Sequence, residues 1–205
     1  MAEQNLNPYG FKLFGLYDVD GIEVKDPGLK RVINLQPRLL VQSNGRNVQK
    51  FGATKINVVE RLMNRIGVSG HRGKKHKLQK GTATGKNTKN MMIILEAFKM
   101  IEKKTQKNPV EVLVRAIENS SPRDEITVIE YGGARYPQAV DVAPIRRINL
   151  ALRWMLQGAS DKAFNKKKTL AEAIAEEIVF ASENNNESFA AKKKNEAEKQ
   201  ADSAR

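Results

Sequence analysis

A glycine-rich stretch with one lysine, GTATGKNT at residues 81–88, is the first candidate for chemistry in this sequence. The phosphate loop of nucleotide hydrolases has four residues between its glycines, so that backbone N–H groups surround the phosphates, and a Ser or Thr directly after the lysine. Here three residues separate Gly81 from Gly85, Asn87 follows Lys86, and no strand-like run comes before them. This spacing argues against nucleotide hydrolysis.

The remaining ionisable residues do not form a recognisable catalytic or metal-binding pattern. His71 and His76 have no cysteine or carboxylate nearby, so we interpret them as protonatable groups of a phosphate-binding loop rather than metal ligands. Four glutamates lie beside Lys or Arg on predicted helices, which is typical of a salt-bridged exterior: Glu96, Glu102, Glu111 and Glu118. We therefore expect no enzyme, no metal and no cofactor.

The charge balance indicates a polyanion partner. The 205 residues include 36 Lys and Arg against 23 Asp and Glu, for a formal net charge of +13. Residues 56–90 hold nine basic residues and one acid, whereas residues 159–205 hold nine of each. Such a local surplus favours nucleic acid. An anionic membrane surface would instead require a basic helix with an apolar face, and the most basic segment has almost no apolar residues.

The composition also bounds the compartment. The sequence has no cysteine, which excludes disulfides, thiol catalysis and the usual structural zinc sites and fits a reducing cytoplasm. It has no run of eighteen apolar residues and no signal-peptide core at its N-terminus. We expect a cytoplasmic protein that does not span a membrane.

Basic side chains on two predicted helices, with the basic region at residues 68–88, could form one surface that binds RNA or DNA. Arginine suits this role because its planar fork can hold phosphate oxygens bidentately. Arg61 and Arg65 lie one turn apart and are expected to face away from the apolar stripe of their helix. The surface is continuous only if the first and fourth helices are neighbours. The candidates are Lys55, Arg61, Arg65, Arg72, Lys74, Lys75, Lys77, Lys80, Arg146, Arg147 and Arg153.

Two extended runs, Glu125–Tyr131 and Ala134–Val142, predict a β-hairpin. Only Gly132 and Gly133 separate them, as in a two-residue turn whose residues both need positive φ. Counting back from this turn places Glu130 opposite Arg135 and Ile129 opposite Tyr136. Near the tip, Arg135 and Tyr136 offer a cation and a stacking face for an unpaired base.

The hairpin is expected to be an arm that stands off a helical body. A hairpin alone in water is marginal, and Pro137 interrupts the donor row of the second strand. The alternative is a hairpin that packs flat on the helices.

Apolar spacing and capping residues predict the helices around this arm. The first helix begins near Lys55, and the second runs over Lys89–Lys104. The third begins at the Asn108 cap, and the fourth begins at Pro144 with a break at Gly158. The fifth opens with a Thr169–Glu172 capping box and runs to about Ser182. Ser188–Arg205 reads as a solvated helix. Residues 1–54 are equally consistent with an extension that lies over a neighbouring molecule and with a folded subdomain. The predicted fold class is mainly α: a single helical domain of five to six helices with a protruding two-stranded β-ribbon and an N-terminal extension.

Four segments resemble the family of the universal seventh protein of the small ribosomal subunit, in its archaeal and eukaryotic branch and more closely the archaeal one. They are KINVVERLMNRI (55–66), NPVEVLVRAIENSSPRDE (108–125), YGGARYPQAVDVAPIRRINLALRW (131–154) and KTLAEAIAEEI (168–178). The resemblance covers roughly residues 11–205.

This resemblance implies a helical body, residues 55–205, that binds small-subunit rRNA, with its arm at residues 125–142 and an extension at residues 1–54. It implies binding to the 3′ major domain, which forms the head, and nucleation of head assembly. The ribbon tip, Gly132, Gly133, Arg135 and Tyr136, would lie near the mRNA exit path and the exit-site tRNA. Neighbouring head and platform proteins would be further partners, and no membrane is involved.

The alternative from another class is a DNA-binding or architectural nucleic-acid-binding protein, with the ribbon or a helix in a groove. Such a regulator usually dimerises to match two half-sites, and no dimerisation helix is obvious in the sequence.

Overall fold

A computed structural model describes residues 10–37, 48–69 and 85–205. These residues form seven α-helices and one two-stranded antiparallel sheet. The helices are α1 (Pro27–Lys30), α2 (Val58–Ile66), α3 (Asn87–Thr105), α4 (Pro109–Ser120), α5 (Pro144–Ala163), α6 (Leu170–Ser182) and α7 (Phe189–Asp202). The strands are β1 (Asp124–Tyr131) and β2 (Ala134–Asp141), and a 3₁₀ turn occupies Gly52–Lys55. The mainly helical fold with a β-ribbon is as predicted, and α1, with four residues, is an addition to it.

Helix α6 lies at the centre of the body, since α3, α4 and α5 all pack against it. It is rich in alanine, and Ala171, Ala173 and Ala175 are buried. Small side chains let neighbouring helices approach closely, while larger residues such as Phe98 and Met155 fill the remaining core space. The predicted capping box is confirmed: Thr169 Oγ1 accepts from the N–H of Glu172, whose carboxylate accepts from the N–H of Thr169.

The described part of the N-terminal segment packs against these helices. Leu13, Tyr17 and Leu29 belong to the same hydrophobic cluster as the helices, and Tyr17 meets Phe98 edge to face at 5.7 Å between ring centroids. The backbone N–H of Val58 donates to the carbonyl of Asn34, which ties this segment to the start of α2. The division of the chain at residue 54 stays a prediction, and residues 1–9 and 38–47 lie outside the described residues.

Helix α5 does not break at Gly158, contrary to the sequence prediction. The helix continues to Ala163, and Gly158 is buried within it. A Cβ at this position would lie 2.5 Å from the Cβ of Phe189 at the start of α7. Glycine is present here because the Phe189 side chain of α7 approaches closely, a reason that the local sequence does not reveal.

Helix α7 is more firmly attached than a solvated helix would be. Its alanines Ala190, Ala191 and Ala201 are buried, and it contacts both α5 and β1. The fully buried carboxylate of Glu177 accepts hydrogen bonds from the Ser188 hydroxyl, the Ala190 N–H and the Lys162 ammonium. The prediction of a solvated helix was therefore wrong, because the alanines that form the buried face of α7 were not recognised as such.

The ribbon pairs in the predicted register, with Glu130 opposite Arg135 and Ile129 opposite Tyr136. Residues 127–138, the distal part of both strands, are exposed, whereas the base of the ribbon is partly buried and contacts α7. The arm therefore projects from the body as expected, but its base rests on the C-terminal helix.

Candidate nucleic-acid interface

Helices α2 and α5 are neighbours, which was the condition for a continuous basic surface. Asn57 caps α2 by accepting from the N–H of Val59, and Pro144 begins α5 with a fixed φ and no unpaired N–H. Lys55, just before α2, and Arg146 and Arg153, one face of α5, are exposed, while Arg65 of α2 is partly buried. We call these four residues the α2–α5 basic face.

Two cations on this face repel each other. Partial burial lowers the pKa of Arg65, and the positive charge of Arg153 lowers it further. Within residues 10–37, 48–69 and 85–205, neither arginine forms an ion pair with a carboxylate. A bound polyanion would relieve this repulsion, so the electrostatics favour an anionic ligand here.

Arg61 faces the core, contrary to the prediction from its position on the helix. It is 8% exposed, donating from one nitrogen to Asn149 Oδ1 at 3.0 Å and from the other to the carbonyl of Val32 at 3.5 Å. Burial lowers the pKa of Arg61 to about 10, so the side chain remains charged at neutral pH. It joins α2, α5 and the N-terminal segment beneath the α2–α5 basic face.

Arg147 is likewise buried rather than exposed for RNA contact. Its Nη2 donates to Asp26 Oδ2 at 2.6 Å and its Nε to the carbonyl of Pro122 at 3.1 Å. Periodicity could not show this, because Arg147 neighbours the exposed Arg146 and its partner Asp26 is 121 residues away. Arg147 therefore anchors the residue before α1 to the start of α5 and lies outside the α2–α5 basic face.

Arg146 is exposed but already forms an ion pair with a carboxylate of the same chain. Its Nε and Nη2 donate to the two carboxylate oxygens of Glu125, at 2.5 and 2.7 Å. This bidentate pair raises the pKa of Arg146 and connects α5 to the base of the ribbon. A phosphate at this site would compete with Glu125, a carboxylate that the sequence analysis did not single out.

A groove of about 840 Å³ lies beside this face, between the 3₁₀ turn and the first three turns of α5. Val32, Ile145 and Leu150 provide apolar lining, and Arg146 and Arg153 provide charge. Phe51, which sequence reasoning also missed, is exposed at its edge. The α5 arginines were candidates from the sequence, whereas the irregular segment that meets them was not.

The ribbon tip has the predicted backbone, with φ of 59° at Gly132 and 81° at Gly133. Arg135 Nε lies 3.8 Å from Glu130 Oε2, and both side chains are largely exposed. Ile129 and Tyr131 share one face of the ribbon with Tyr136, since side chains alternate along β1 and paired residues share a face. This stripe is exposed, with Tyr131 81% accessible.

Five predicted contacts fall in the basic region outside the described residues: Arg72, Lys74, Lys75, Lys77 and Lys80. In the described ranges no three His, Cys, Asp or Glu side chains are grouped so that they could hold a metal ion. None of the helices within those ranges is long and apolar enough to cross a membrane.

Comparison with known proteins agrees with the sequence resemblance. Residues 29–205 match the family model described as ribosomal protein S7p/S5e. The chain is 50% identical over 195 residues to the small ribosomal subunit protein uS7 of Nanoarchaeum equitans, covering 95% of this chain and 98% of the relative. It is 44% identical over 196 residues to the protein of the same name from Methanococcus maripaludis, again covering 95% and 98%.

Proposed function

Because the chain belongs to the ribosomal protein S7p/S5e family, we propose that it binds the 3′ major domain of small-subunit rRNA through the α2–α5 basic face. Family membership identifies it as a structural component of the small ribosomal subunit rather than an enzyme. Its compartment is then the cytoplasmic ribosome, and its partners are rRNA and other ribosomal proteins.

The observation that carries the RNA-binding proposal is that Arg65 and Arg153, on the neighbouring helices α2 and α5, have no carboxylate partner among the described residues. Phosphates placed there would replace condensed counterions of the RNA, and the release of those ions favours binding. Recognition would then depend on RNA shape and on 2′-hydroxyl groups rather than on a helix inserted into a groove.

The exposed ribbon supports a second part of the proposal. A preformed arm that buries little of its own surface leaves Arg135 and the aromatic stripe accessible to partners. We place this tip near the mRNA exit path and the exit-site tRNA, beside head and platform proteins, and expect early binding to help nucleate head assembly. The basic region at residues 70–84 would add further phosphate contacts.

Replacement of Arg153 by Gln tests the proposed face. The variant should bind a transcript of the 3′ major domain more weakly than the wild type, and its plot of log K against log[salt] should be shallower by about 0.7–0.9, the loss of one phosphate contact. Arg115→Gln is the matched control, since Arg115 lies in a separate cleft beside Lys104 and Glu111. Equal effects of both substitutions would show that only net charge matters and would remove α5 from the interface.

The competing proposal is that the chain acts as an architectural DNA-binding protein. The same titration against duplex DNA of equal length separates the two, because that function requires duplex binding at least as tight as RNA binding.

A further inference from the structure

Phe51 combines two unfavourable features. It has φ of 62° and ψ of 11°, in the left-handed region that bulky residues rarely occupy. The residue is also 64% exposed, so little hydrophobic burial compensates for the strained backbone. Strain of this kind persists where the surrounding structure enforces it, and it concentrates at ligand-binding positions.

The position of the ring indicates what such a ligand would meet. Phe51 lines the groove of about 840 Å³ together with apolar residues of α5 and with Arg146 and Arg153. That volume is in the range of sites for small ligands, about 300–1,000 Å³. The groove thus places one aromatic face, an apolar lining, the exposed Arg153 and the Glu125-paired Arg146 within a single site.

A third cation lies over the ring itself. The ammonium nitrogen of Lys50 is 5.5 Å from the centroid of the Phe51 ring. An aromatic platform surrounded by cations is complementary to a nucleotide, whose base has an apolar π face and whose phosphates are anionic. An acidic protein segment would satisfy the cations but would not use the exposed ring as well.

We propose that this groove receives one unpaired nucleotide of the bound rRNA, with its base stacked on Phe51 and its flanking phosphates contacting Lys50, Arg146 and Arg153. The inference rests on the proposed rRNA binding and adds a defined site to it. Because stacking accepts any base, the site recognises an unpaired nucleotide rather than a sequence.

Phe51→Gly tests the proposal and controls for folding in one substitution. Glycine tolerates positive φ, so the variant should unfold at the same temperature as the wild type or higher. Loss of one base stack should lower affinity for the 3′ major domain transcript by about 5- to 150-fold. The salt slope should not change, because no charge is removed. Phe51→Trp should retain affinity, and its additional tryptophan emission should be quenched by the transcript.

The outcomes separate this inference from the function on which it rests. Wild-type affinity in Phe51→Gly, with the wild type binding the transcript, would overturn the stacking site and leave rRNA binding intact; a protein segment would then be the occupant to test. A Phe51→Gly variant that loses stability together with affinity would show that the ring packs within the chain, which also overturns the site. Failure of the wild type to bind the transcript would overturn the proposed function itself.

Discussion

Arg147 and Asp26 form an ion pair whose side chains are only 9% and 19% exposed. Removing one partner from such a pair leaves the other charge poorly solvated. We therefore predict that Arg147→Met lowers the free energy of unfolding by about 2–4 kcal/mol, measured by urea denaturation. If Arg147 instead mainly contacted RNA, this variant would be as stable as the wild type. The double variant Asp26→Asn/Arg147→Met should recover part of the loss.

The same pair predicts a pH dependence of stability. Partial burial alone would raise the pKa of Asp26, but hydrogen bonds from Arg147 and from the Gly28 N–H, with the charges of Arg147 and Arg123, lower it overall. A lowered folded-state pKa stabilises the fold fully above the unfolded value of about 3.9, and this contribution is lost as the pH falls through the folded value. Between about pH 5 and pH 2 the wild type should therefore lose more stability than Asp26→Asn. Parallel pH curves for the two proteins would contradict the assignment.

Glu125 should limit RNA binding, since it accepts hydrogen bonds from Nε and Nη2 of Arg146. Glu125→Gln keeps the size of the side chain but removes the competing carboxylate, so affinity for the 3′ major domain transcript should rise, most clearly at low salt. Glu130→Gln, at the ribbon tip, is the matched control for removing one negative charge. An unchanged or weaker affinity for Glu125→Gln would mean that RNA does not displace the carboxylate.

The residue types of the basic face could be predicted from sequence, whereas their environments could not. Two of the candidates, Arg146 and Arg153, are exposed on α5. Helical spacing was wrong for Arg61, because the partners Val32 and Asn149 are 29 and 88 residues away. Burial of an arginine depends on such distant contacts, which a local pattern does not contain.

Among the elements, α7 depends on close contact with α5 at Gly158. Helix propensity alone predicts that Gly158→Ala stabilises the protein by about 1 kcal/mol. The structure predicts the opposite sign, because the new methyl group would overlap Phe189 and displace α7; overpacking of this kind costs about 1–3 kcal/mol. Thermal unfolding decides between them, and a raised midpoint would contradict the described α5–α7 packing.

The ribbon can be shortened without loss of the body. Residues 127–138 are exposed, so replacing them with a two-residue turn should change the unfolding midpoint by no more than a few degrees. The shortened protein should retain most of its affinity for the 3′ major domain transcript. Loss of cooperative unfolding would show that the distal ribbon belongs to the core.

Local signals were sufficient for most element boundaries. The glycine pair fixed the hairpin register, and the caps at Asn108 and Thr169 fixed two helix starts. The signals failed at Gly158 and along α7, where a glycine and a run of alanines have long-range packing roles. Without the neighbouring helices, Gly158 would be consistent with a helix break and the alanines of α7 with a solvated helix.

At the scale of the whole molecule, the helices and the described N-terminal residues enclose one hydrophobic core, and the ribbon extends from it. The net charge of +13 is distributed unevenly along the chain, and the α2–α5 basic face carries part of it. A helical body with a charged face and an exposed arm suits the proposed binding to RNA.

Binding of the chain to a transcript of the 3′ major domain, compared with duplex DNA of equal length, tests the proposed rRNA binding most directly. If six to ten phosphates are contacted, affinity for the RNA should fall on the order of 10³–10⁵-fold between 50 and 200 mM salt, by analogy with duplex DNA. At each salt concentration the RNA should be bound more tightly than the DNA. Equal affinity for the two, or a nearly flat salt dependence, would contradict the assignment of the α2–α5 basic face to rRNA.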